Sequence, residues 1–536
     1  MTTTMTTRMQ NVFSIGLQGG SAEPVAETMG FKACNLARMV RIGLPVPQAF
    51  VLGTAMCAEH RAHPQKFRER LRGLLESQME RLEAACGLEF GAERKPLLVS
   101  VRSGAPVSMP GMMDTVLDIG LTDSTLRGLL RLTGNPRMVW DSYRRLIQQF
   151  AEVVYGADPA PFRAALDVAM DRARVARPQE LDFQSLGALA RDYLILFESL
   201  TRTAFPQDPV DQIEAAVSAV FDSWMSPRAV EYRRIHDIAE DMGTAVTVQR
   251  MVFGNAGGTS GSGVGFTRDP ASGENRMYLD FRFNSQGEDV VSGRHGANDA
   301  PRLAVALPAV SAQLQALHGT LETEFRDAQE YEFTVQDGSL WLLQTRNAKR
   351  TPWAALRIAV EQVRAGELEP AQALRRLDGI ELARIEQRRI ALDADCEVLA
   401  TALPASIGVA TGIIALDAAG AQAHAAAGRQ AILLREDTST ADIAGIAAAR
   451  GTLTARGGRT AHAAVVARQL GKVCLVGCTS MRIDSVARRV SFGERQLREG
   501  DVITLDCENG RVLAGEARVA VERPTEWLEE VARWRA

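Results

Sequence analysis

The spacing of hydrophobic residues divides the chain into regions with different predicted secondary structure. Between about 122 and 240, apolar residues recur at i, i+3, i+4 and i+7, as in RMVWDSYRRLIQQFAEVVYG (137–156), which predicts amphipathic helices. From 243 to 346 the period falls to two, as in TAVTVQRMVF (244–253) and RMYLDFRF (276–283), which predicts strands. The charged stretch that follows is predicted to be largely helical.

Beyond residue 400, short strands and helices alternate, a pattern that is typical of a compact α/β domain. The chain is therefore predicted to be a multidomain α/β and α+β protein. Its predicted parts are a front domain with a helical subdomain, a linker, a rear domain and a C-terminal helix: 20–350 with about 122–240 inside it, 351–400, 401–515 and 516–536.

Composition excludes several classes of protein. Hydrophobic residues make up 46% of the chain and charged residues 24%, which is ordinary for a globular protein. The net charge of −4 gives no support to nucleic-acid binding, and no stretch approaches the roughly 18 apolar residues of a membrane span. The seven cysteines form no CxxC pair, which argues against a zinc site or a disulfide framework. We expect a reduced, cytoplasmic protein that binds neither nucleic acid nor membrane.

A candidate reactive histidine lies in RGGRTAHAAVVARQLG (456–471) of the rear domain. A strand runs into Gly457 and Gly458, and His462 then begins an apolar helix. The N–H groups at a helix N-terminus would stabilise a phosphoryl group on the imidazole, and histidine is nucleophilic enough to carry one. From spacing alone a buried or capping histidine is the commoner outcome, so the residues leave both interpretations open.

The front domain holds residue types that suit a nucleotide. Arg102 follows a predicted strand, and the glycine-dense GNAGGTSGSGVGFTRDP (254–270) is predicted to be a loop whose amides cover a polyphosphate. Asp337-Gly338 predicts a hairpin within YEFTVQDGSLWLLQTR (331–346). Period-two alternation places Glu330 with Glu332, and Gln344 with Arg346; oxygen ligands beside an arginine suit Mg²⁺–triphosphate. Each feature alone is also compatible with an ordinary turn or a solvated strand face, and no Walker-type GxxxxGK[ST] is present.

Taken together and in order, several segments resemble the pyruvate phosphate dikinase family of PEP-utilising, phosphohistidine-domain enzymes. The segments are SVRSGAPVSMPGMMDTVLDIGL (100–121), MVFGNAGGTSGSGVGFTRDP (251–270), EFTVQDGSLWLLQTRNAKRT (332–351) and TARGGRTAHAAVVARQLGKVC (454–474). The resemblance implies an ATP-grasp-like domain that binds ATP and AMP, a helical linker and a swivelling phosphohistidine domain. It also implies Mg²⁺ as cofactor, and phosphate and pyrophosphate among the reactants.

The resemblance also assigns roles to individual residues. His462 corresponds to the phosphorylated histidine, Arg102 and Arg346 to catalytic arginines, and Thr460 to a regulatory phosphorylation site. Nucleotide-binding positions are Lys32, Arg102, Gly261, Gly263, Glu330, Glu332 and Gln344, of which the last three are also metal ligands. Three positions depart from the family pattern: Glu330 replaces an aspartate, Ala461 a serine and Phe31 a glycine.

Complete dikinases continue into a (β/α)₈ barrel, at least about 200 residues long, that binds phosphoenolpyruvate and pyruvate. Here only 516–536 follows the predicted rear domain. We therefore expect an ATP-dependent phosphotransferase that phosphorylates His462 and meets its acceptor in trans, such as pyruvate on a separate chain. Two alternatives remain, a non-catalytic ATP-binding regulatory module and a phosphohistidine relay to a protein client. The intact Lys, Arg, Glu, Gln and His set argues against the first.

Overall fold

The structure, a computed structural model, describes residues 11–18, 23–107, 109, 112–287, 299–391, 396–459 and 461–535, with only the backbone of residues 440 and 462. These residues form two compact units. Unit 1 contains the described residues up to Gly257 together with Trp341–Gln344, and unit 2 contains Gly258–Leu340 and the described residues from Thr345 onward. The prediction of a mixed α/β multidomain protein is confirmed.

Unit 1 combines one sheet with a group of helices. Its helices are α1 (Ala26–Met29), α2 (Phe31–Arg41), α3 (Thr54–Ala62), α4 (Pro64–Cys86), α5 (Leu126–Thr133), α6 (Pro136–Tyr155), α7 (Ala160–Ala173), α8 (Phe183–Thr201), α9 (Pro209–Asp222) and α10 (Pro227–Ile235). Its strands are β1 (Val12–Ile15), β2 (Ala49–Leu52), β3 (Glu89–Phe90), β4 (Pro96–Leu97), β5 (Val99–Gly104), β6 (Thr115–Ile119) and β7 (Ala245–Arg250). The main sheet has the order β1-β2-β7-β5-β6, with antiparallel neighbours.

Helix α6 shows why the periodic segment of unit 1 is helical. The Asn135 side chain accepts a hydrogen bond from the Met138 amide, and Pro136 occupies the first helical position, where its missing N–H costs nothing. The helix ends at Gly156, whose φ of 66° is the left-handed conformation that stops helices. Its apolar face is buried in the main core of unit 1, as the helical periodicity of this segment predicts.

Unit 2 begins with a sheet and continues through the linker. Its first elements are β8 (Gly261–Phe266), β9 (Tyr278–Phe283), α11 (Ala300–Ala306), α12 (Pro308–Phe325), β10 (Gln329–Gln336), β11 (Ser339–Asn347), α13 (Pro352–Arg364), α14 (Pro370–Arg376) and β12 (Gln387–Ile390). The sheet order is β11-β10-β8-β9, and the middle of β11 belongs to unit 1. The two helices α11 and α12 interrupt a region that the sequence pattern predicts as strands.

The rear part of unit 2 contains the remaining elements. They are β13 (Val398–Thr401), β14 (Leu403–Pro404), β15 (Val409–Ala415), α15 (Ala418–Ala426), β16 (Ala431–Arg435), α16 (Ile443–Ala448), β17 (Gly451–Thr454), α17 (His462–Gln469), β18 (Val473–Val476), β19 (Met481–Asp484), β20 (Arg489–Phe492), β21 (Arg495–Arg498), β22 (Val502–Asp506), β23 (Arg511–Ala514), β24 (Val519–Glu522) and α18 (Thr525–Arg535). Strands β15 to β18 run parallel in a sheet of order β13-β23-β22-β15-β16-β17-β18-β14.

Two predictions about local structure differ from the observed fold. The linker is helical only in part, because β12 pairs antiparallel with β24. Gly261 and Gly263 do not lie in a loop but in β8, between β9 and β10. A Cβ atom on Gly261 would lie 2.2 Å from the Phe281 ring, and one on Gly263 would lie 2.5 Å from the Phe333 ring. These glycines therefore make room for aromatic rings of the neighbouring strands.

Other expectations agree with the structure. The β10–β11 hairpin turns at Asp337 and Gly338, whose φ values of 49° and 76° are those of the tight turn that Asp-Gly favours. All seven cysteines lie among the described residues and are unpaired. In the described part of the chain, no helix has the length and apolar character needed to cross a bilayer.

Candidate functional site

Arg102 lies within β5 of unit 1, where a neighbouring strand holds its guanidinium. Its Nη1 donates to Oε1 of Gln249 on β7 at 3.4 Å, and Gln249 in turn donates from Nε2 to the Pro47 carbonyl at 3.1 Å. Gln249 is only 1% exposed, so its amide is fixed. Gln249 is not among the residues predicted from the sequence, and an amide within a predicted strand is the only signal for it there. Nε of Arg102 is buried and has no hydrogen-bond partner among the described residues.

Lys32 lies in the first turn of α2, which begins against the end of β5. The Phe31 amide donates to the Ala105 carbonyl at 2.9 Å, and a Cβ atom on Gly30 would lie 2.0 Å from the Gly104 carbonyl oxygen. With its φ of 79°, position 30 therefore requires glycine. Unit 1 thus joins the segments that carry Lys32 and Arg102. Residues 108, 110 and 111 of the predicted loop lie outside the described residues.

Glu330 and Arg346 form a buried ion pair across the β10–β11 hairpin of unit 2. Nη2 of Arg346 lies 2.6 Å from Oε1 of Glu330, whose side chain is almost fully buried. Burial alone would lower the pKa of Arg346, but the carboxylates of Glu330 and Glu332 outweigh it and raise that pKa above its ordinary value. Arg346 is therefore a fixed positive charge, and Glu330 is its anchor.

Glu332 and Gln344 are half-buried members of the same hairpin. Glu332 lies two residues after Glu330 on β10, and Gln344 lies two residues before Arg346 on β11, so the predicted alternation along each strand is present. Because the Glu330 carboxylate is bound to Arg346, Glu332 is the carboxylate of this face that is better placed to take a cation.

The segment predicted to carry phosphate connects β17 to α17. Gly457 has a φ of 106°, which supports the predicted tight turn, and α17 begins at His462 with Ala461 as its N-terminal cap residue. The prediction that His462 begins a helix is therefore confirmed. Thr460 and the side chain of His462 lie outside the described residues.

Two arginines that the sequence analysis did not select bind the histidine segment to the sheet of β8 and β9. The guanidinium of Arg459 lies 4.8 Å from the centre of the Tyr278 ring, and that of Arg468 lies 5.7 Å from the centre of the Phe266 ring. A Cβ atom on Gly458 would lie 2.8 Å from Oδ2 of Asp280, so glycine permits this close approach. Helix α17 therefore packs against the sheet that holds Glu330 and Arg346.

Arg468 also links the histidine helix electrostatically to the buried pair. It is 1% exposed, and its Nη1 donates to the carbonyls of Ala405 and Arg459, at 3.3 and 2.8 Å. Burial lowers its pKa, the nearby carboxylate of Glu330 opposes that shift, and the charge of Arg346 adds to it. The only signal in the sequence is an arginine in a helix that consists mainly of alanine and valine.

Two parts of the chain match known protein families. Residues 65–309 match the model described as "Pyruvate phosphate dikinase, AMP/ATP-binding domain", and residues 428–510 match "PEP-utilising enzyme, mobile domain". The chain is 41% identical over 519 residues to pyruvate, phosphate dikinase of Rhizobium meliloti (strain 1021), and 41% identical over 510 residues to that of Clostridium symbiosum. The chain therefore contains the AMP/ATP-binding domain of pyruvate phosphate dikinase and the mobile domain of PEP-utilising enzymes.

These dikinase alignments include 94% of this chain but 57% and 58% of the two relatives. A third relative, the chloroplastic pyruvate, phosphate dikinase of Flaveria pringlei, is 39% identical, with 99% of this chain and 56% of the relative aligned. The chain thus spans little more than half the length of the relatives it matches. Of the candidate residues, Arg102, Gly261 and Gly263 lie within the matched AMP/ATP-binding domain, and Thr460 and His462 within the matched mobile domain.

Proposed function

We propose that the chain is an ATP-dependent phosphotransferase of the dikinase type that phosphorylates its own His462. Lys32, Arg102 and Arg346 would neutralise the phosphates, as the sequence analysis expects. The observation that carries the proposal is the packing of α17 on the sheet of unit 2, with Arg468 close to both Glu330 and Arg346. The helix that begins with His462 thereby shares one compact unit with a fixed arginine that is suited to a transferred phosphoryl group.

The proposed chemistry is a displacement at phosphorus. The Nε2 lone pair of a neutral His462 attacks the β-phosphorus of ATP, the bond from that phosphorus to the α–β bridging oxygen breaks, and AMP leaves with the electron pair. Orthophosphate then attacks the outer phosphorus of the pyrophosphoryl-histidine. The bond from that phosphorus to the β–γ bridging oxygen breaks, and the bridging oxygen and its electron pair stay with the phosphoryl group on His462. The newly formed pyrophosphate is released. In both steps the arginines would neutralise negative charge on the non-bridging oxygens.

The residues present fit a magnesium ion at this site. Mg²⁺ prefers oxygen ligands and keeps several waters, so one or two carboxylates are sufficient. Glu332 supplies a half-buried carboxylate, and Gln344 and Glu330 remain the other proposed ligands, although Glu330 already binds Arg346. When bound with ATP, Mg²⁺ would supply charge neutralisation at the polyphosphate. Gly261 and Gly263 remain predicted nucleotide-binding positions, now placed within a strand.

Labelling with ATP that carries radioactive phosphorus at either the β or the γ position tests the proposal. We expect acid-labile β-label on the wild-type protein and AMP in solution. His462→Ala should abolish the label, whereas the matched control His424→Ala, on α15 of the same domain, should retain it. Nucleotide binding with no covalent label in the wild type would refute phosphotransfer and leave the regulatory module.

A second experiment tests the transfer of the phosphoryl group from His462. We propose that the phosphoryl group passes from His462 to an acceptor met in trans. Protein labelled and freed of nucleotide is offered pyruvate alone, pyruvate with a separate pyruvate-binding dikinase fragment, or a lysate fraction that contains candidate protein clients. Loss of label to phosphoenolpyruvate only when the fragment is present supports the proposal. Transfer to pyruvate alone contradicts an acceptor met in trans, and transfer to a protein indicates the relay.

A further inference from the structure

A cavity of about 550 Å³ lies between the linker and the rear part of unit 2. Its walls come from the start of α13, the segment around β12, and the residues that precede β17 and β18. This volume is within the range of small-molecule binding sites. Neither Glu330 nor Arg346 lines the cavity, so it is separate from the candidate catalytic residues.

The lining carries an excess of positive charge. Its ionisable side chains are Arg384, Arg388, Arg450, Lys472, Glu381 and Glu386, four cations against two carboxylates. Each carboxylate is already engaged by an arginine: Glu381 lies 2.8 Å from Arg384, and Glu386 lies 3.4 Å from Arg388. The excess is therefore not balanced by the remaining cavity walls.

Arg450 and Lys472 are the unbalanced pair. Within the described part of the chain, neither side chain forms a hydrogen bond or an ion pair, and both are half-buried. Burial and the neighbouring Arg450 lower the pKa of Lys472. Burial and the neighbouring Arg388 lower the pKa of Arg450, against a smaller opposing effect of Glu386. Arg450 is thus close enough to be repelled by both Arg388 and Lys472, a cost that a bound anion would remove.

The position of the cavity in the fold separates it from His462. Arg450 and Lys472 precede the amino ends of the adjacent parallel strands β17 and β18. His462 instead begins α17 after the carboxyl end of β17, and the other end of this helix, at Gln469 and Leu470, reaches the cavity. Eight residues of helix span about 12 Å, so an anion here would not occupy the position of a phosphoryl group on His462.

We propose that this cavity is a binding site for a multivalent phosphate-class oxyanion, held by Arg450, Lys472 and Arg388. Arg388 belongs to β12 of the linker, whereas the other two directly precede strands β17 and β18 of the rear domain. A bound anion therefore joins the linker to the domain whose family model is described as mobile. Trp353 and Ile407 form an apolar part of the wall, which leaves room for the organic part of a phosphomonoester.

The test measures thermal melting and calorimetric binding of the full chain in a phosphate-free buffer. The two probes, inorganic phosphate and glycerol 3-phosphate, distinguish a free ion from a phosphomonoester, and sodium chloride at equal ionic strength controls for screening. We expect saturable stabilisation beyond that of chloride, with binding weakened about tenfold or more in Arg450→Met and in Lys472→Met. Arg429→Met, an exposed position of the same domain outside the cavity, should bind as the wild type does.

One further variant and a measurement without anion make the result decisive. Arg102→Met should still respond to phosphate, because the proposed nucleotide site is elsewhere. Without any anion, Arg450→Met and Lys472→Met should melt at or above the temperature of the wild type, because removal of one cation relieves repulsion. The proposed site is overturned if both variants bind phosphate as tightly as the wild type does, or if the wild type does not bind phosphate. If both variants melt well below the melting temperature of Arg429→Met without anion, the two cations have a structural role, and the proposed site is also overturned.

Discussion

Two groups of charged side chains in unit 2 differ in how their positive charge is balanced. The first group is Glu330, Arg346 and Arg468, where the carboxylate lies 2.6 Å from one arginine and also acts on the other. The second group is the cavity, where Arg450 and Lys472 have no carboxylate of their own among the described residues. The first group is mostly buried and the second is half-exposed.

The difference distinguishes charges that oxygen atoms of the protein neutralise from charges that no carboxylate of the described residues neutralises. A buried arginine tolerates loss of water only when oxygen atoms replace it, and Arg468 finds two carbonyls while Arg346 finds Glu330. Arg450 and Lys472 keep access to water, so their unbalanced charge is stable enough to persist without a partner. Substitutions in the first group should therefore lower the free energy of unfolding, whereas substitutions in the second group should leave it nearly unchanged.

Loss of the carboxylate in the buried group should have the largest effect. Glu330→Gln leaves Arg346 without its ion-pair partner, and we expect the free energy of unfolding to fall by about 2–4 kcal/mol. The variant should also lose most of its label from ATP, because Arg346 is no longer held. Urea denaturation and the labelling assay measure both effects. A variant as stable as wild type would contradict the assignment of Glu330 as an anchor.

In unit 1, Asp141 and two arginines form another charge-balanced group, and its contribution to stability can be measured at acidic pH. Asp141 on α6 is buried and lies 2.6 Å from Arg144 and 3.0 Å from Arg145. Burial would raise its pKa, but the arginines outweigh burial and lower the pKa from 3.8 to about 2. This contribution is complete above the unfolded pKa, and roughly 2 kcal/mol should be lost as the pH falls from about 4 through about 2.

Urea denaturation across that pH range measures the Asp141 contribution. Asp141→Asn should be less stable than the wild type at neutral pH, because two arginines lose their partner. Its stability should also fall less steeply between about pH 4 and pH 2. The same slope in both proteins would show that other carboxylates cause the acid sensitivity.

Arg468→Met should have an intermediate effect. The carbonyls of Ala405 and Arg459 each lose a donor, at about 1 kcal/mol apiece, and removal of a buried charge offsets part of that. We expect a net loss of about 1–2 kcal/mol and slower labelling of His462. The labelling rate is measured from reactions with excess ATP that are quenched at successive times, and Arg429→Met is the control. A normal rate in a destabilised variant would show that Arg468 supports the fold alone.

The sequence predicted features that depend on neighbouring residues better than features that depend on distant ones. The Asp337-Gly338 turn and the helix start at His462 follow from local chemistry, and both are present. The sequence predicts a loop at Gly261 and Gly263, because glycine usually marks one. Their position in β8 depends on Phe281 and Phe333, which lie on other strands.

The same reason explains the residues that sequence analysis missed. The roles of Arg459 and Arg468 depend on their contacts with the rings of Tyr278 and Phe266, which are distant from them in the sequence. Gln249 likewise becomes important because β7 pairs with the strand that carries Arg102. Motif and family resemblance selected residues expected to contact the substrate, whereas the residues that position them required the packed structure.

The smallest predicted effect concerns the exposed carboxylate at the edge of the cavity. Glu386→Gln removes the partner of Arg388 in a pair whose side chains are both more than a third exposed, so stability should change by at most about 0.5 kcal/mol. Phosphate binding should nevertheless tighten, by roughly two- to fivefold, because Arg388 is released and a competing negative charge is gone. Glu381→Gln, at the still more exposed pair with Arg384, should change binding less. Calorimetric titration of both variants with inorganic phosphate makes the comparison. Weaker binding in Glu386→Gln would mean that Arg388 does not contact the anion, and the cavity group would then contain two cations rather than three.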